Sequence, residues 1–264
     1  MRRVEPWLVV ASSASSLAIL FLFLPIAALF TMFDPRVFAK VFILDPVFYR
    51  VARAAMLTTF EASGLAVALN ACLGIPLAYV LAKHEFRGKG IVESLVDVPL
   101  LLPHTVAGIA VLCAFGHAGL LSPLTKALGI YIEDTFLGIV LAMAFVSAPI
   151  MIDTAKVGFA SVDPELEMVA RSLGASPSRV FTSITLPLAL RSIAAGAILS
   201  WARALSEVGA ILIVAYYPKT VNVLTIEWFS MFGLRYCIAL AVPLAIVSIA
   251  LFTLLRLVIQ RARD

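Results

Sequence analysis

The sequence predicts an all-α, polytopic membrane protein with six transmembrane helices and one short cytoplasmic helix-turn-helix segment. Of its 264 residues, 62% are hydrophobic and 14% are charged, and the mean hydropathy is +1.05. A globular domain carries roughly 25% charged residues, so this composition is suited to lipid. The apolar runs are also long, since about 20 residues of helix cross the hydrocarbon core of a bilayer. They do not alternate between apolar and polar residues, which excludes a β-barrel.

Six apolar runs are long enough to be spans, and we expect one transmembrane domain over residues 1–264. The predicted spans cover about 7–33, 54–82, 92–115, 136–152, 193–217 and 236–259. Pro99 and Pro103 break the third, because proline removes a helical hydrogen bond. The first run is too long for a signal peptide and no small-residue cleavage site follows it, so we expect it to be retained.

The distribution of Lys and Arg predicts the orientation of the spans. Twelve basic residues fall on one side of the predicted membrane and seven on the other. Because cytoplasmic loops are enriched in Lys and Arg, both termini are predicted to be cytoplasmic. The twelve are Arg2, Arg3, Lys83, Arg87, Lys89, Lys156, Arg171, Arg179, Arg191, Arg256, Arg261 and Arg263.

Residues 158–190 form a charged, patterned segment on the predicted cytoplasmic side. Asp163 followed by Pro164 is typical of a helix start, because the carboxylate accepts an orphan backbone N–H and proline has none to lose. Gly174 supplies the left-handed residue that ends such a helix. The first half of the segment therefore predicts a short helix outside the membrane.

A second helix is predicted immediately after this glycine. Ser176 and Pro177 repeat the cap and proline of the first start. Phe181 lies on its apolar face, and Pro187 is expected to limit its continuation. The segment as a whole therefore predicts two short helices that meet at a glycine corner.

The first of these helices carries a narrow apolar stripe. Its members recur at the spacing of one helix face, whereas Glu165, Glu167 and Arg171 lie off it. The stripe contains no Trp and its polar face is not rich in lysine, which favours a protein groove over lipid headgroups, although both occupants remain open. The stripe consists of Leu166, Val169, Ala170 and Leu173.

Motifs of catalysis and of nucleotide binding are absent from the sequence. It contains no G-x-x-x-x-G-K-[ST], H-E-x-x-H or G-x-S-x-G pattern, so we expect no catalysis, no metal site and no nucleotide site in this chain. His84, His104 and His117 are isolated along the sequence, which is typical of loop or packing residues. The basic residues are scattered, which argues against a nucleic-acid partner.

Charged and polar residues inside the predicted spans indicate a pathway. Arg203 and Glu207 lie four residues apart in the fifth span, so they share a face and can pair. The pair is either structural or part of the lining and gate of the pathway. Gly209 permits close approach of another helix.

The third span contains a polar, distortable stretch at Pro103, His104 and Thr105. Proline removes one helical hydrogen bond and a threonine hydroxyl can partly replace it. We therefore expect the third and fifth spans to bound a central pathway.

Four basic residues lie in the first predicted outer loop: Arg36, Lys40, Arg50 and Arg53. They either attract an anion or an acidic docking surface, or they are solvated charges beside the headgroups. A pore for an anion needs no permanent ring of cations, because a strong site would retain the ion.

The pattern formed by Glu167, Ala170, Gly174 and, after nine residues, Ile184 to Pro187 resembles the EAA loop of permease subunits in ABC importers. The two positions before Ala170 depart from the family pattern, since they hold Met and Val instead of Glu and Ala. The resemblance implies that this segment is the coupling helix, which sits in a cleft of a cytoplasmic ATPase. The coupling residues it implies are Glu165, Leu166, Glu167, Val169, Ala170, Arg171, Leu173, Gly174, Ala175, Arg179, Phe181 and Pro187.

The stretches DVPLLLPHTVAGIAVL, from Asp97, and SWARALSEVGAILIVAYYP, from Ser200, are similar to the third and fifth spans of the molybdate, tungstate and sulfate permease group. This resemblance implies a six-helix protomer in a prokaryotic cell membrane that works as a homodimer. It further implies two ATP-binding subunits that hold ATP and Mg, an external oxyanion-binding protein, and no cofactor in this chain. Sulfate or thiosulfate is the alternative cargo.

An ion-coupled secondary transporter is the alternative from another class. Such a carrier is expected to show repeated halves, discontinuous helices and buried carboxylates at matching positions. The sequence shows no convincing internal repeat, and Glu207 has no counterpart in the first half.

Overall fold

The computed structural model of the chain describes residues 6–261, which are helical in most positions and contain no strand. Arg2, Arg3 and Arg263, on which part of the orientation rests, lie outside the described residues. The helices are α1 (Pro6–Thr31), α2 (Pro35–Ala39), α3 (Pro46–Lys83), α4 (Lys89–Leu101), α5 (His104–Phe115), α6 (Ser122–Ala127), α7 (Phe136–Ala160), α8 (Pro164–Ser172), α9 (Pro177–Val180), α10 (Leu186–Leu205), α11 (Gly209–Val214), α12 (Val221–Phe232) and α13 (Leu234–Arg261). Two π-helical turns, Lys40–Leu44 and Phe181–Thr185, join neighbouring helices.

Within residues 6–261, five helical segments are long and apolar enough to cross a membrane. They are α1, α3, α7, the continuous helix Pro177–Leu205, and α13. The all-α polytopic fold is therefore confirmed. The predicted end of the fourth span was too early, because α7 continues to Ala160 and carries Asp153 and Lys156 inside the helix.

The third predicted span is two helices; the break predicted at Pro103 is confirmed, and the one predicted at Pro99 was wrong. Pro99 lies inside α4 without ending it. The break comes at Leu102, which is extended with a ψ of 135°, and at Pro103. A residue before proline is driven out of the helical region by the proline ring, which accounts for the position of the break.

The fifth span was also predicted with wrong bounds. Its helix starts at Pro177 and stops at Leu205, and α11 is a separate short helix that begins at Gly209. Between them Val208 leaves the helical region with φ −139° and ψ −39°. A continuous helix over 193–217 therefore does not form.

Pro187 does not limit the second helix of the charged segment, contrary to expectation. The Leu186 N–H bonds to the Phe181 carbonyl five residues back, so a wide π turn precedes the proline. Proline then falls in the first turn of α10, where a missing N–H is tolerated. The helix consequently passes from the segment into the membrane span, with the widened turn as the adjustment.

Helix α7 lies at the centre of the fold, with α3 and α10 packed against it. The side-chain amide of Asn70 on α3 joins all three helices, since its Nδ2 lies 2.9 Å from Ser147 Oγ and 3.3 Å from Ser200 Oγ. Such small polar side chains hold transmembrane helices together. The three helices therefore form the core that carries the candidate site.

Two further contacts place the outer parts of the chain. The start of α3 packs with α12 and α13 in an apolar cluster around Trp228. Lys40 donates a hydrogen bond to the Tyr236 hydroxyl at 3.0 Å, and this bond raises the pKa of the Lys40 amine above its ordinary value. Helix α1 contacts α13 and leaves most of its large apolar side chains exposed among those that the structure describes.

Candidate functional site

The charged segment folds as two helices that meet at a glycine. The Glu165 N–H donates to Asp163 Oδ1 at 2.9 Å at the start of α8, and the Arg179 N–H donates to Ser176 Oγ at 3.4 Å at the start of α9. Gly174 adopts a φ of +88°, in the left-handed region that favours glycine. The two caps and the left-handed corner are confirmed.

The predicted apolar stripe of α8 faces solvent. Leu166 is 48% exposed, Val169 is 59% exposed and Leu173 is 83% exposed. Ala170 and Ala175 are half-buried beside them, whereas Glu165, Arg171 and Arg179 are exposed. An apolar surface of this kind, rimmed by charges, is typical of an interaction site.

Glu167 points away from this surface and into the protein. Its Oε1 accepts a hydrogen bond from Thr185 Oγ1 at 2.7 Å and lies 3.2 Å from Lys83 Nζ. The same ammonium donates to the Val162 carbonyl at 2.9 Å. Glu167 therefore joins α8 to the membrane domain.

Phe181 also faces inward. Its ring lies 4.8 Å from that of Tyr79 and 6.2 Å from that of Phe159, measured between centroids. Pro187 is exposed in the first turn of α10. Of the residues that the resemblance implies for coupling, the structure gathers the α8 stripe and Gly174 on one surface and places Glu167 and Phe181 on the opposite side.

A second candidate site lies where the two helix breaks meet. A methyl group on Gly108 would lie 2.7 Å from the Ala210 carbonyl, and one on Gly209 would lie 2.5 Å from His104 Cβ. Helices α5 and α11 can approach this closely only because both positions lack a side chain. Parts of the third and fifth predicted spans are therefore in contact at this point, and their role in bounding a pathway stays a prediction.

Three residues from the two breaks form the helix-break cluster, which consists of His104, Arg203 and Glu207. The Glu207 side chain is fully buried, and its Oε2 lies 2.9 Å from Arg203 Nη1 and 2.7 Å from His104 Nδ1. Its Oε1 accepts the Ala210 N–H at 2.8 Å. A buried carboxylate requires such partners, because its desolvation is otherwise costly.

The break between α10 and α11 is stabilised by Asn222, a residue that sequence reasoning missed. Asn222 Nδ2 donates to the carbonyls of Leu205 at 2.7 Å and Glu207 at 3.0 Å. Broken helices are tolerated at membrane depth only where their freed backbone groups find partners inside the protein. The one sequence signal for this role is an amide within the apolar run that follows Thr220.

Two histidines that are isolated in sequence have carboxylate partners in space. His104 contacts Glu207, as described, and His117 contacts Glu133. Thr105 is exposed at the start of α5 beside His104. Sequence spacing cannot show these pairs, since each joins separate helices or loops.

No group of three or more possible metal ligands occurs among the described residues. The chemistry available at the helix-break cluster is ionic and hydrogen-bonding, since a guanidinium, an imidazole and a carboxylate meet there. These contacts can hold the adjacent ends of α5 and α11 together. The two ends can separate if the Glu207 carboxylate loses its partners.

Comparison with known families gives a match over most of the chain. Residues 74–264 match the family model described as "Binding-protein-dependent transport system inner membrane component". The matched part contains both the charged segment and the two helix breaks.

Individual relatives extend the match to nearly the full length. The chain is 45% identical over 255 residues to the molybdate/tungstate transport system permease protein WtpB of Pyrococcus abyssi, covering 96% of each chain. It is 30% identical over 252 residues to a probable sulfate transport system permease protein of Zygnema circumcarinatum, covering 93% of this chain and 86% of that one. A bacterial ABC transporter that imports alginate has a chain with the same fold, with a TM-score of 0.73, 19% identity, and coverage of 98% and 96%.

Proposed function

The chain belongs to the family of binding-protein-dependent transport system inner membrane components, and we propose that it is the membrane-spanning permease of an ATP-driven importer for molybdate or tungstate. One observation carries the coupling role. A helix at a left-handed glycine corner presents Leu166, Val169 and Leu173 to solvent in a segment outside the long spans. Such a surface fits an apolar groove on a partner, and we assign that partner as the ATP-binding subunit.

The subunit composition follows from this assignment. The chain carries no nucleotide-binding motif, so ATP and Mg are bound by two cytoplasmic partner subunits. A second copy of the chain completes the pathway, and an external binding protein delivers the anion. Both termini and α8 lie on the cytoplasmic side of a prokaryotic cell membrane, in agreement with the excess of basic residues there.

Transport proceeds by alternating access. Closure of the two ATPases on ATP draws the docked α8 helices together, and this rigid-body motion reorients the core helices about a two-fold axis. The helix-break cluster of His104, Arg203 and Glu207 then gates the pathway, with Pro103, Thr105 and Gly209 at the moving junction. ATP hydrolysis restores the inward-facing state.

Molybdate or tungstate is the proposed cargo because the relative named as a molybdate/tungstate permease is more similar to this chain than the relatives named as sulfate permeases. Its identity of 45% compares with 36% and 30% for two relatives named as probable sulfate transport permeases. Sulfate or thiosulfate is the second candidate, since all four anions are tetrahedral and doubly charged.

Ion-coupled transport is the rival mechanism. The discontinuous helices and the buried Glu207 carboxylate are features that such a carrier also uses. Membership of the binding-protein-dependent family favours ATP-driven import instead. ATP-driven import requires ATP on the cytoplasmic side of the membrane, whereas ion-coupled transport requires only an ion gradient.

Uptake into proteoliposomes tests the proposal. The chain is reconstituted with its cognate ATP-binding subunit and binding protein, and accumulation of labelled tungstate is measured with ATP or a non-hydrolysable analogue inside. We expect accumulation with ATP alone, with competition by molybdate and little competition by sulfate. Accumulation driven by an ion gradient without ATP would contradict the proposal, and efficient competition by sulfate would favour the second cargo.

A further inference from the structure

Helix α8 stands away from the apolar core of the protein. Among the described residues, none in α8 is buried, and none belongs to the apolar cluster formed by the neighbouring ends of α3, α7 and α10. A cavity of about 460 Å³ lies between α8 and the end of α3. Apolar packing therefore does not fix the orientation of α8, and a nine-residue helix is marginal by itself.

One side chain of α8 crosses this gap. The Glu167 carboxylate meets Thr185 Oγ1 at 2.7 Å and Lys83 Nζ at 3.2 Å. The side chains of Lys83 and Glu167 are only 11% and 14% exposed, although the helix that carries Glu167 is otherwise open to solvent. Such a shielded pair is screened less by salt than a surface pair.

The contacts of Lys83 extend the connection to the three core helices. Lys83 is the last residue of α3, and its ammonium also donates at 2.9 Å to the carbonyl of Val162, just beyond α7. Thr185 lies in the π turn that leads into α10. The ends of α3, α7 and α10 therefore meet α8 at one polar point.

We propose that Lys83, Glu167 and Thr185 form a positioning hub that makes α8 and the three core helices one rigid unit, so that displacement of α8 is converted into movement of the pathway. This inference rests on the proposed function. It gives Glu167 a role inside the permease, whereas the docking surface is the opposite, apolar face of α8. A loose α8 would still bind the ATPase but would move without moving the core.

Uptake per ATP hydrolysed is the quantity that distinguishes positioning from docking. We would reconstitute the complete transporter with the variants Lys83→Met, Glu167→Ala, the double variant and Lys83→Arg, and measure labelled tungstate uptake and phosphate release together. Binding of the ATP-binding subunit is measured in the same preparations. The pair Lys89 and Glu85, at 2.6 Å, has a half-buried lysine and an exposed glutamate and supplies the controls Lys89→Met and Glu85→Ala.

We expect both single variants to retain the ATP-binding subunit and to lose about fivefold or more in uptake per ATP. The double variant is expected to be no worse than the more severe single one, because the two residues act through one contact. Lys83→Arg and both control variants should stay close to the wild type.

Unchanged uptake per ATP in Lys83→Met and Glu167→Ala would overturn the hub. The hub would also be overturned if the losses of the two single variants multiplied in the double variant. It would be overturned as well if the single variants lost the ATP-binding subunit and Lys83→Arg lost it too. A different result would contradict the proposed function instead, namely the absence of ATP-dependent tungstate uptake by the wild-type transporter.

Discussion

The Nδ1 atom of His104 lies 2.7 Å from the buried carboxylate of Glu207, and this contact joins the two breaks in the helices that meet at the proposed gate. The same carboxylate oxygen pairs with Arg203 at 2.9 Å. Since His104 opens α5 and Glu207 precedes α11, the two short helices are tied at their adjacent ends.

Replacement of Glu207 by Gln should destabilise the permease, because it leaves Arg203 partly buried without its counter-charge. Breaking a buried pair costs about 3–5 kcal/mol, and we expect a clear fall in the thermal unfolding midpoint in detergent. Glu85→Gln, at an exposed carboxylate paired with Lys89, is the control and should change stability by less than about 1 kcal/mol. Equal stability of the two variants would contradict the assigned role of Glu207.

A side chain at Gly108 should separate the two helix breaks. The added Cβ would lie 2.7 Å from the Ala210 carbonyl, and overpacking of this kind costs about 1–3 kcal/mol. Gly108→Val should therefore reduce both thermal stability and tungstate uptake. Gly64→Val is the control, because Gly64 is also in a helix and a Cβ added there would have no atom within 4 Å. Full uptake by both variants would refute the close approach of the two helices.

The corner at Gly174 should not accept a residue with a Cβ. Its φ of +88° costs other residues about 1–2 kcal/mol, so Gly174→Ala should shift α8 and lower stimulated ATPase activity about tenfold. Membrane insertion should survive, because the corner lies outside the long spans. Gly90→Ala is the control, because Gly90 has open space around it and no positive φ. Equal ATPase activity of the two variants would argue against a role for the corner.

The exposed stripe of α8 should matter for association and not for folding. Leu173 is 83% exposed, so Leu173→Asp should leave the stability of the isolated permease unchanged. Its affinity for the ATP-binding subunit should fall about tenfold, as for a residue at the centre of an interface. Ser172→Asp places the same charge off the stripe and should bind as the wild type does, and similar affinities for both variants would exclude the stripe as the docking face.

The sequence predicts the continuous spans and the break at Pro103 in the third, and it misses the break before Gly209 in the fifth. Hydropathy averages over the length of a span, so the few polar residues beside each break, such as His104 and Glu207, do not interrupt the apolar runs. The break at Leu102 has a local cause in Pro103. The break before Gly209 depends on Asn222, which comes from another helix and leaves no local pattern.

The charged segment was largely predictable because its caps and its glycine act locally. Asp163, Ser176 and Gly174 impose their geometry within a few residues of themselves. The continuation through Pro187 was missed, since no local sequence pattern marks the π turn that precedes the proline. The inward position of Glu167 depends on Lys83, which is distant in sequence.

The central claim is that the apolar face of α8 docks on a cytoplasmic ATP-binding subunit, and cross-linking of Leu173→Cys in native membranes tests it most directly. We predict an ATP-sensitive cross-link between this cysteine and the ATP-binding subunit, and protection of the cysteine from impermeant maleimide in intact cells. Labelling from the cell exterior with no cross-link to that subunit would contradict the account.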